Sequence, residues 1–213
     1  MERKAIEACP LFRGLEGERL EYALAYFDAK RVEYPRGVFI RAVTDVFSFF
    51  GLVLSGTVEI CHASERGERT IMATVGAGQT FGESLCYLGR ESTVYAVAQT
   101  DVVLLRLRCD RLRQMPAREA DLKLAGRFCA MLAERTLSMN GRIQILSRTT
   151  IRDKVTELLE QEGAHRGAWI TLSLDREGMA AYLGVDRASL SRELSRMQKE
   201  GLLEFRKNRF RLL

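Results

Sequence analysis

The sequence predicts an α+β protein with a β-rich first half, one long helix and a small helical domain that ends in a β-hairpin. Short runs of β-branched and aromatic residues, separated by turn residues, fill residues 30–108. Apolar residues then recur at spacings of three and four between Ala117 and Leu146, which is typical of a helix. Finally, the stretch from Leu174 to Lys199 divides into two short amphipathic segments around a glycine, and two basic strands follow it.

The β-rich segment follows a short helical lead-in, where Leu20, Leu24 and Phe27 form an apolar stripe. Turn signals such as Pro35-Arg36-Gly37 and Glu65-Arg66-Gly67-Glu68 separate the later runs. Short strands at this close spacing predict a β-sandwich or barrel from about residue 30 to 108. The predicted strands are Val32 with Tyr34, Val38–Ile40, Phe47–Val53, Val58–Ile60, Thr70–Val75, Thr93–Ala98 and Val102–Leu107.

The long helical segment after Pro116 carries an apolar seam, which runs through Leu124, Phe128, Met131, Leu132, Met139, Ile143 and Leu146. A helix of about 30 residues is about 45 Å long, which exceeds the width of one small domain. The sequence therefore favours a parallel two-stranded dimer interface along this helix. The alternative is a helix that packs along its own β-domain.

The two segments around Gly184 predict a helix-turn-helix. Asp175 and Asp186 are good N-caps, and Gly184 suits the left-handed residue that ends the first helix. Apolar stripes on the two helices predict the faces that pack on the core: Met179, Tyr182 and Leu183 on the first, and Leu190, Leu194 and Met197 on the second.

The opposite face of the second helix carries only cations and small hydroxyls: Arg187, Ser191 and Ser195, with Arg192, Arg196 and Lys199 beside them. Residues 186–213 contain eight Lys or Arg and four Asp or Glu, so their net charge of +4 provides most of the +5 of the chain. A local basic excess indicates contact with nucleic acid, although an ordinary solvated helix face has the same composition. The hairpin around Lys207-Asn208 is typical of a wing that reaches the sugar-phosphate backbone.

Other classes of protein are excluded. The sequence contains no nucleophile–base pair or phosphate-binding loop that would indicate an enzyme, and no spacing of ligand residues that would indicate a metal site. The sequence has no run of about 18 apolar residues that would indicate a membrane span, and its first residues lack the apolar core of a signal peptide. The five scattered cysteines, which include Cys9 and Cys86, indicate free thiols in a reducing cytosol.

Three stretches resemble the CRP/FNR family of transcription regulators: LVLSGTVEI at residues 52–60, GQTFGES at 78–84 and LGVDRASLSREL at 183–194. The resemblance implies an effector-binding β-roll (1–110), a dimerisation helix (111–147) and a winged helix-turn-helix DNA-binding domain (148–213). It also implies a cytoplasmic homodimer that responds to a small molecule, binds a palindromic double-stranded operator and contacts RNA polymerase.

The resemblance places Arg187 and Arg192 where the family's recognition arginines lie, and Ser191 where a small residue faces a base or phosphate. Together with the polar face of the second helix and the wing, the predicted DNA-binding residues are Arg187, Ser189, Ser191, Arg192, Arg196, Lys199 and Lys207. Ala188 departs from the family pattern, because many relatives have an acidic residue there that can accept a hydrogen bond from cytosine. We therefore expect an operator half-site that differs from the common one.

The same resemblance places the effector near Gly82, Glu83, Ser84, Ser92, Thr93 and Ser138. In relatives that bind cyclic AMP, an Arg-Ser pair holds the phosphate, but the matching pair here is Ser92-Thr93. Hydroxyls do not neutralise a phosphate, and a charge-assisted hydrogen bond is roughly twice as strong as a neutral one. We therefore expect an unidentified small effector other than cyclic AMP, and no required cofactor.

Two other functions remain open on the sequence alone. In the first, the β-roll is a sensor whose winged domain binds a protein rather than DNA. In the second, the regulator responds to redox state through an exposed thiol at Cys86 or Cys9.

Overall fold

The computed structural model describes residues 2–63, 69–172 and 174–213. Two compact units form, Met1–Ala133 and Glu134–Leu213. The predicted turn at residues 65–68 lies outside the described residues. The helices are α1 (Glu2–Ala8), α2 (Gly17–Tyr26), α3 (Glu83–Leu88), α4 (Glu119–Ser147), α5 (Ile151–Gln161), α6 (Arg176–Leu183) and α7 (Arg187–Lys199), with a 3-10 turn at Asp110–Arg113.

The first unit contains the predicted β-sandwich. Two four-stranded antiparallel sheets form, in the orders β1-β8-β3-β6 and β2-β7-β4-β5. Their strands are β1 (Lys30–Tyr34), β2 (Phe39–Arg41), β3 (Phe50–Ser55), β4 (Val58–Ala63), β5 (Arg69–Val75), β6 (Thr80–Phe81), β7 (Tyr95–Ala98) and β8 (Val102–Leu107). This architecture confirms the predicted α+β class.

Several strand boundaries differ from the prediction. The strand predicted at Phe47–Val53 begins at Phe50, and the one predicted from Thr93 begins at Tyr95. The side chains of Phe47 and Phe49, just before β3, are nevertheless buried, so their apolar character reflects packing rather than sheet pairing. Residues 83–88 form α3, a helix that the sequence pattern did not indicate.

Two apolar cores stabilise the first unit. Residues such as Phe49, Phe81 and Leu104 fill the space between the two sheets. A second core on the other face of the β1-β8-β3-β6 sheet unites Phe12, Phe27 and other residues of the helical lead-in with the sheet. Because alternate residues of a strand face opposite sides, β8 contributes Val102 and Leu104 to one core and Leu105 and Leu107 to the other.

The helix α4 does not use its apolar residues as one continuous seam. Leu124, Phe128 and Met131 are buried in the core of the first unit, where the Phe128 ring packs against Phe50 and Tyr87. The predicted assignment of these three residues to a dimer interface is therefore wrong, because they cover the β-domain of their own chain.

A second face of α4 is largely exposed, although its Leu132 also packs against the core of the first unit. A heptad pattern with alternating spacings of three and four links Leu122, Ala125, Cys129, Leu132, Thr136, Met139, Ile143 and Leu146. Within it, Leu122, Met139 and Ile143 are each about 60 % exposed. We call these eight residues the α4 seam.

The second unit is a small winged-helix domain. A three-stranded sheet in the order β10-β11-β9 joins β9 (Ile170–Thr171), β10 (Leu203–Arg206) and β11 (Arg209–Leu212). The predicted apolar stripes of α6 and α7 meet in its core, where Met179, Leu183, Leu190, Leu194 and Met197 are buried. The predicted strand at Ala168–Leu172 does pair with the hairpin, through Ile170 and Thr171.

Candidate nucleic-acid interface and effector site

The helix-turn-helix is fixed by local hydrogen bonds at its helix ends. The Asp175 carboxylate accepts from the Gly178 amide at 2.7 Å, which caps α6. Gly184 then adopts the left-handed conformation with φ of 63°, as the sequence predicts for a helix end. The Asp186 carboxylate accepts from the Ala188 and Ser189 amides at 3.1 and 3.2 Å, which caps α7.

We expect the Asp186 cap to contribute stability that depends on pH. The hydrogen bonds from the two α7 amides hold the pKa of Asp186 below its usual value. A carboxylate with a lowered pKa stabilises the folded state above its ordinary pKa, near 4, and this stability is lost as the pH falls through the lowered value. Asp186→Ala should therefore lower the Tm clearly at about pH 7 and hardly at all at about pH 2. Thermal unfolding at both pH values tests this, and an equal loss at both would contradict it.

The polar face of α7 carries the residues that the sequence singled out. Ser191 and Ser195 each donate a hydroxyl hydrogen to the backbone carbonyl four residues earlier, at 2.9 and 3.0 Å. Arg192 donates to the Ser189 hydroxyl at 2.9 Å. Arg187 is exposed at the start of the helix, and within the described part of the chain its guanidinium forms no hydrogen bond or ion pair.

The end of α7 is tied to the rest of its domain. Arg196 pairs with Glu200 at 3.0 Å, and Arg152 of α5 pairs with both Glu193 and Glu200 at 2.8 and 2.7 Å. The structure therefore brings the predicted residues Arg187, Ser189, Ser191, Arg192, Arg196 and Lys199 onto one helix but gives them different surroundings. Arg187, in the first turn of α7, is therefore less restrained than Arg196, which is paired near the end of the helix.

The wing extends this basic surface. Lys207 lies at the hairpin turn with φ of 57°, between β10 and β11. The guanidinium carbons of Arg206, Arg209 and Arg211 lie 5.8, 5.4 and 5.1 Å from the Trp169 ring centroid. Trp169 and these three arginines were not among the DNA-binding residues predicted from the sequence. The alternation Arg209-Phe210-Arg211 nevertheless indicates that Arg209 and Arg211 share the solvent face of the strand.

The effector residues predicted on α3 are divided between the interior and the surface. Glu83 is only 3 % exposed and accepts a hydrogen bond from the Thr80 hydroxyl, while Ser84 is exposed. Gly82 has φ of 81°, and a Cβ built there would lie 2.5 Å from a carbon of the Phe47 ring. Phe47 therefore packs directly against the Gly82 backbone.

The other predicted effector residues are Ser92, Thr93 and Ser138. The buried Ser92 hydroxyl donates to the Val94 carbonyl at 2.6 Å and accepts from the Val94 amide at 3.1 Å, so it stabilises a local turn. Thr93 is exposed, and Ser138 is an exposed residue of α4. Gly82, Glu83 and Ser92 thus lie in the folded interior of the first unit or at its edge, while Ser84 and Thr93 face solvent.

The cysteines proposed for redox sensing are not exposed. Cys9 and Cys86 are fully buried, so the expectation of an accessible thiol at either position is wrong. Burial raises the pKa of Cys9, whereas a hydrogen bond with Cys109 lowers the pKa of Cys86. Among the described residues, no group of three His, Cys, Asp or Glu side chains is placed to hold a metal ion.

Comparison with known proteins identifies the class. Residues 31–119 match the cyclic nucleotide-binding domain family, and residues 126–213 match the Crp-like helix-turn-helix domain family. No helix in the described part of the chain is long and apolar enough to cross a membrane.

Similar proteins extend over nearly the whole chain. The Cyclic AMP receptor protein of Thermus thermophilus is 30% identical over 202 residues, which cover 93% of this chain and 89% of the relative. The CRP-like cAMP-activated global transcriptional regulator of Mycobacterium tuberculosis is 22% identical over 90% of this chain and 86% of the relative. The solved c-di-GMP-responsive regulator CLP of Xanthomonas campestris has a TM-score of 0.61 and 20% identity, and covers 92% of this chain and 99% of its own.

The chain therefore belongs to the CRP/FNR family of transcription regulators, which are not enzymes. The resemblance inferred from the sequence is confirmed, and so is the helix-turn-helix DNA-binding class.

Proposed function

We propose that this protein is a ligand-responsive transcription regulator that binds a palindromic DNA operator as a homodimer. The observation that carries the proposal is the solvent face of α7, where the exposed Arg187 and a row of serines lie opposite a fully buried apolar stripe. Such a face fits the major groove, where arginine and small polar side chains contact base edges and phosphates. The proposed contacts are Arg187, Ser189, Ser191, Arg192, Arg196, Lys199 and, at the wing, Lys207.

The α4 seam supports the homodimer. Leu122, Met139, Ile143 and Leu146 are exposed apolar residues in a heptad pattern, and two parallel copies of the helix would cover them by knobs-into-holes packing. A two-fold dimer presents two α7 helices to successive major grooves, about 34 Å apart, and therefore requires a palindromic operator. Contact with DNA and RNA polymerase would place the protein in the cytoplasm.

The effector is a small molecule bound in the β-domain, and it is not cyclic AMP. The Thermus thermophilus relative is named for cyclic AMP. In this chain, however, the position that would carry the phosphate-binding arginine is Ser92, and the Ser92 hydroxyl is engaged on both sides by Val94. Calorimetric titration with cyclic AMP tests this part of the proposal, and binding in the micromolar range would contradict it.

Selection from a random DNA pool, at two salt concentrations, tests the proposed function as a whole. We expect an inverted repeat whose half-site centres are about one helical turn apart, with an affinity that falls steeply as salt increases. If no motif emerges in the presence or absence of cell extract, the proposal fails, and the winged domain becomes a candidate for binding protein instead.

Ala188→Glu should change the preferred base at one position of each half-site. A methyl group cannot accept a hydrogen bond, whereas a carboxylate in its place can accept one from the amino group of cytosine. When the selection is repeated with this variant, cytosine should therefore be enriched at that position. The expected preference over the other bases is about 1–3 kcal/mol. An unchanged motif would show that residue 188 does not face a base, and Gln198→Glu, an exposed change near the other end of α7, is the control.

A further inference from the structure

Two arginines of different sheets meet inside the β-domain. Arg106 lies on β8 with its side chain on the same face as Val102 and Leu104, which fill the space between the sheets. Arg41 lies at the end of β2, where a register shift between Phe39 and Arg41 places it opposite Ala96, another residue of this core. A β-bulge of this kind re-aims a side chain that would otherwise face outwards.

The two guanidinium groups are close together because both contact the ring of Phe49. The Cζ atom of Arg41 lies 4.0 Å from the Phe49 ring centroid, and that of Arg106 lies 4.5 Å from it. The two guanidinium carbons are therefore within about 8.5 Å of each other, and both side chains are at least partly shielded from water. Cation–π contact offsets part of the cost of placing two like charges there.

The charges of this pair are poorly balanced by the protein. Arg106 donates hydrogen bonds to the neutral Tyr34 hydroxyl, one of them at 2.8 Å. Within the described part of the chain no carboxylate lies within 4.0 Å of Arg106, and the Asp45 carboxylate reaches Arg41 only at 3.9 Å.

Arg41 itself is incompletely bonded. One of its terminal nitrogens donates to the Ser48 hydroxyl at 3.1 Å, but its Nε is buried and has no hydrogen-bond partner in the described structure. Its side chain is only 14% exposed, and burial, together with the positive charge of Arg106, lowers its pKa. A buried donor without a partner costs free energy that a bound acceptor would recover.

We propose that Arg41 and Arg106 form an oxyanion-binding site, which holds a phosphate or carboxylate group of the effector. Planar guanidinium groups bind both kinds of oxyanion through paired hydrogen bonds. The Tyr34 hydroxyl accepts from Arg106, which leaves its own hydrogen to donate to the same anion. This inference rests on the proposed ligand-responsive function, and it moves the anion away from the arginine-free Ser92-Thr93 position.

The proposed site is linked by side-chain packing to the start of α3. Arg41 lies 5.3 Å from the Phe47 ring centroid, and the Phe47 ring packs against the backbone of Gly82, which precedes α3. A shift of Arg41 towards an anion would therefore change the packing of Phe47 at the start of α3.

Inorganic phosphate is the first probe. The full-length protein, with labelled arginine side chains, is titrated with phosphate at constant ionic strength, and the Nε–Hε signals are followed by NMR. We expect saturable shifts of the Arg41 and Arg106 signals. Each signal is assigned by its loss from the spectrum of the corresponding variant, Arg41→Met or Arg106→Met. The signal of Arg36, an exposed arginine of the same domain, should show no saturation. Arg41→Lys with Arg106→Lys keeps both charges but loses the planar forks, so it should weaken phosphate affinity by about tenfold or more.

The outcomes separate this inference from the proposed function. If the Arg41 and Arg106 signals fail to shift, or shift without saturation like that of Arg36, the site does not exist. If the Lys variant binds phosphate as tightly as the wild type, these arginines are not the ligands. Operator binding is measured on the same samples, so a protein that reads its operator but does not bind phosphate contradicts the oxyanion site alone. A protein that binds phosphate but selects no operator contradicts the proposed function alone.

Discussion

Met139→Glu combined with Ile143→Glu should convert the protein to monomers and reduce its affinity for the operator by about two orders of magnitude or more. Both residues lie on the α4 seam and are about 60% exposed in the single chain. In a parallel dimer each glutamate would face its own copy, so that like charges would be buried without partners. Since each half-site then binds alone, the gain from linking two α7 helices is lost. Sedimentation measures the mass, and DNA titration measures the affinity.

Leu137→Glu is the matched control for that variant. Leu137 is 71% exposed and lies on the same helix, but it falls outside the heptad positions of the α4 seam. We expect this variant to remain dimeric. If Leu137→Glu dissociates the dimer and the seam variant does not, the heptad assignment is wrong. The interface would then involve exposed residues of α4 that lie outside the heptad positions.

Arg187→Ala should weaken operator binding by about 1–3 kcal/mol per half-site and flatten the base preference at one position. Arg187 stands exposed at the start of α7, where its guanidinium is not used by other described residues. Competition binding against operators with every base at each position measures the effect. The variant should keep the stability of the wild type, since the side chain packs on nothing in the core.

Lys199→Ala provides the contrast, because Lys199 lies at the other end of the helix. Removal of a phosphate-binding cation at this end should weaken binding to all sequences alike and reduce the slope of affinity against salt by about 1 for each lysine. If Arg187→Ala also weakens all sequences equally, then Arg187 contacts the backbone rather than a base, and the specificity must come from other residues of α7.

Local chemistry explains what could be predicted from the sequence. The ends of α6 and α7 depend on Asp175, Gly184 and Asp186, each of which acts within three residues of its own position, so their roles followed from the residue types.

Long-range packing explains what could not be predicted. The spacing of Leu124, Phe128 and Met131 fits a helix face, but only the fold shows that the β-domain of the same chain covers them. The burial of Cys9 and Cys86 depends likewise on segments distant in sequence. The inward orientation of Arg41 could not be predicted either, because the bulge that turns it inwards has no sequence signal that the alternation rule detects.

The hydrogen bonds of Ser191 and Ser195 to the α7 backbone determine what these side chains can offer to DNA. A hydroxyl has one hydrogen, and each serine uses it on the carbonyl one turn earlier. What remains towards the groove is a pair of oxygen lone pairs, which cannot bond to a phosphate because phosphate oxygens are also acceptors. In the proposed complex the serines would therefore receive hydrogen bonds from the amino groups of adenine or cytosine, while the arginines of the same face would donate to guanine and to the phosphates.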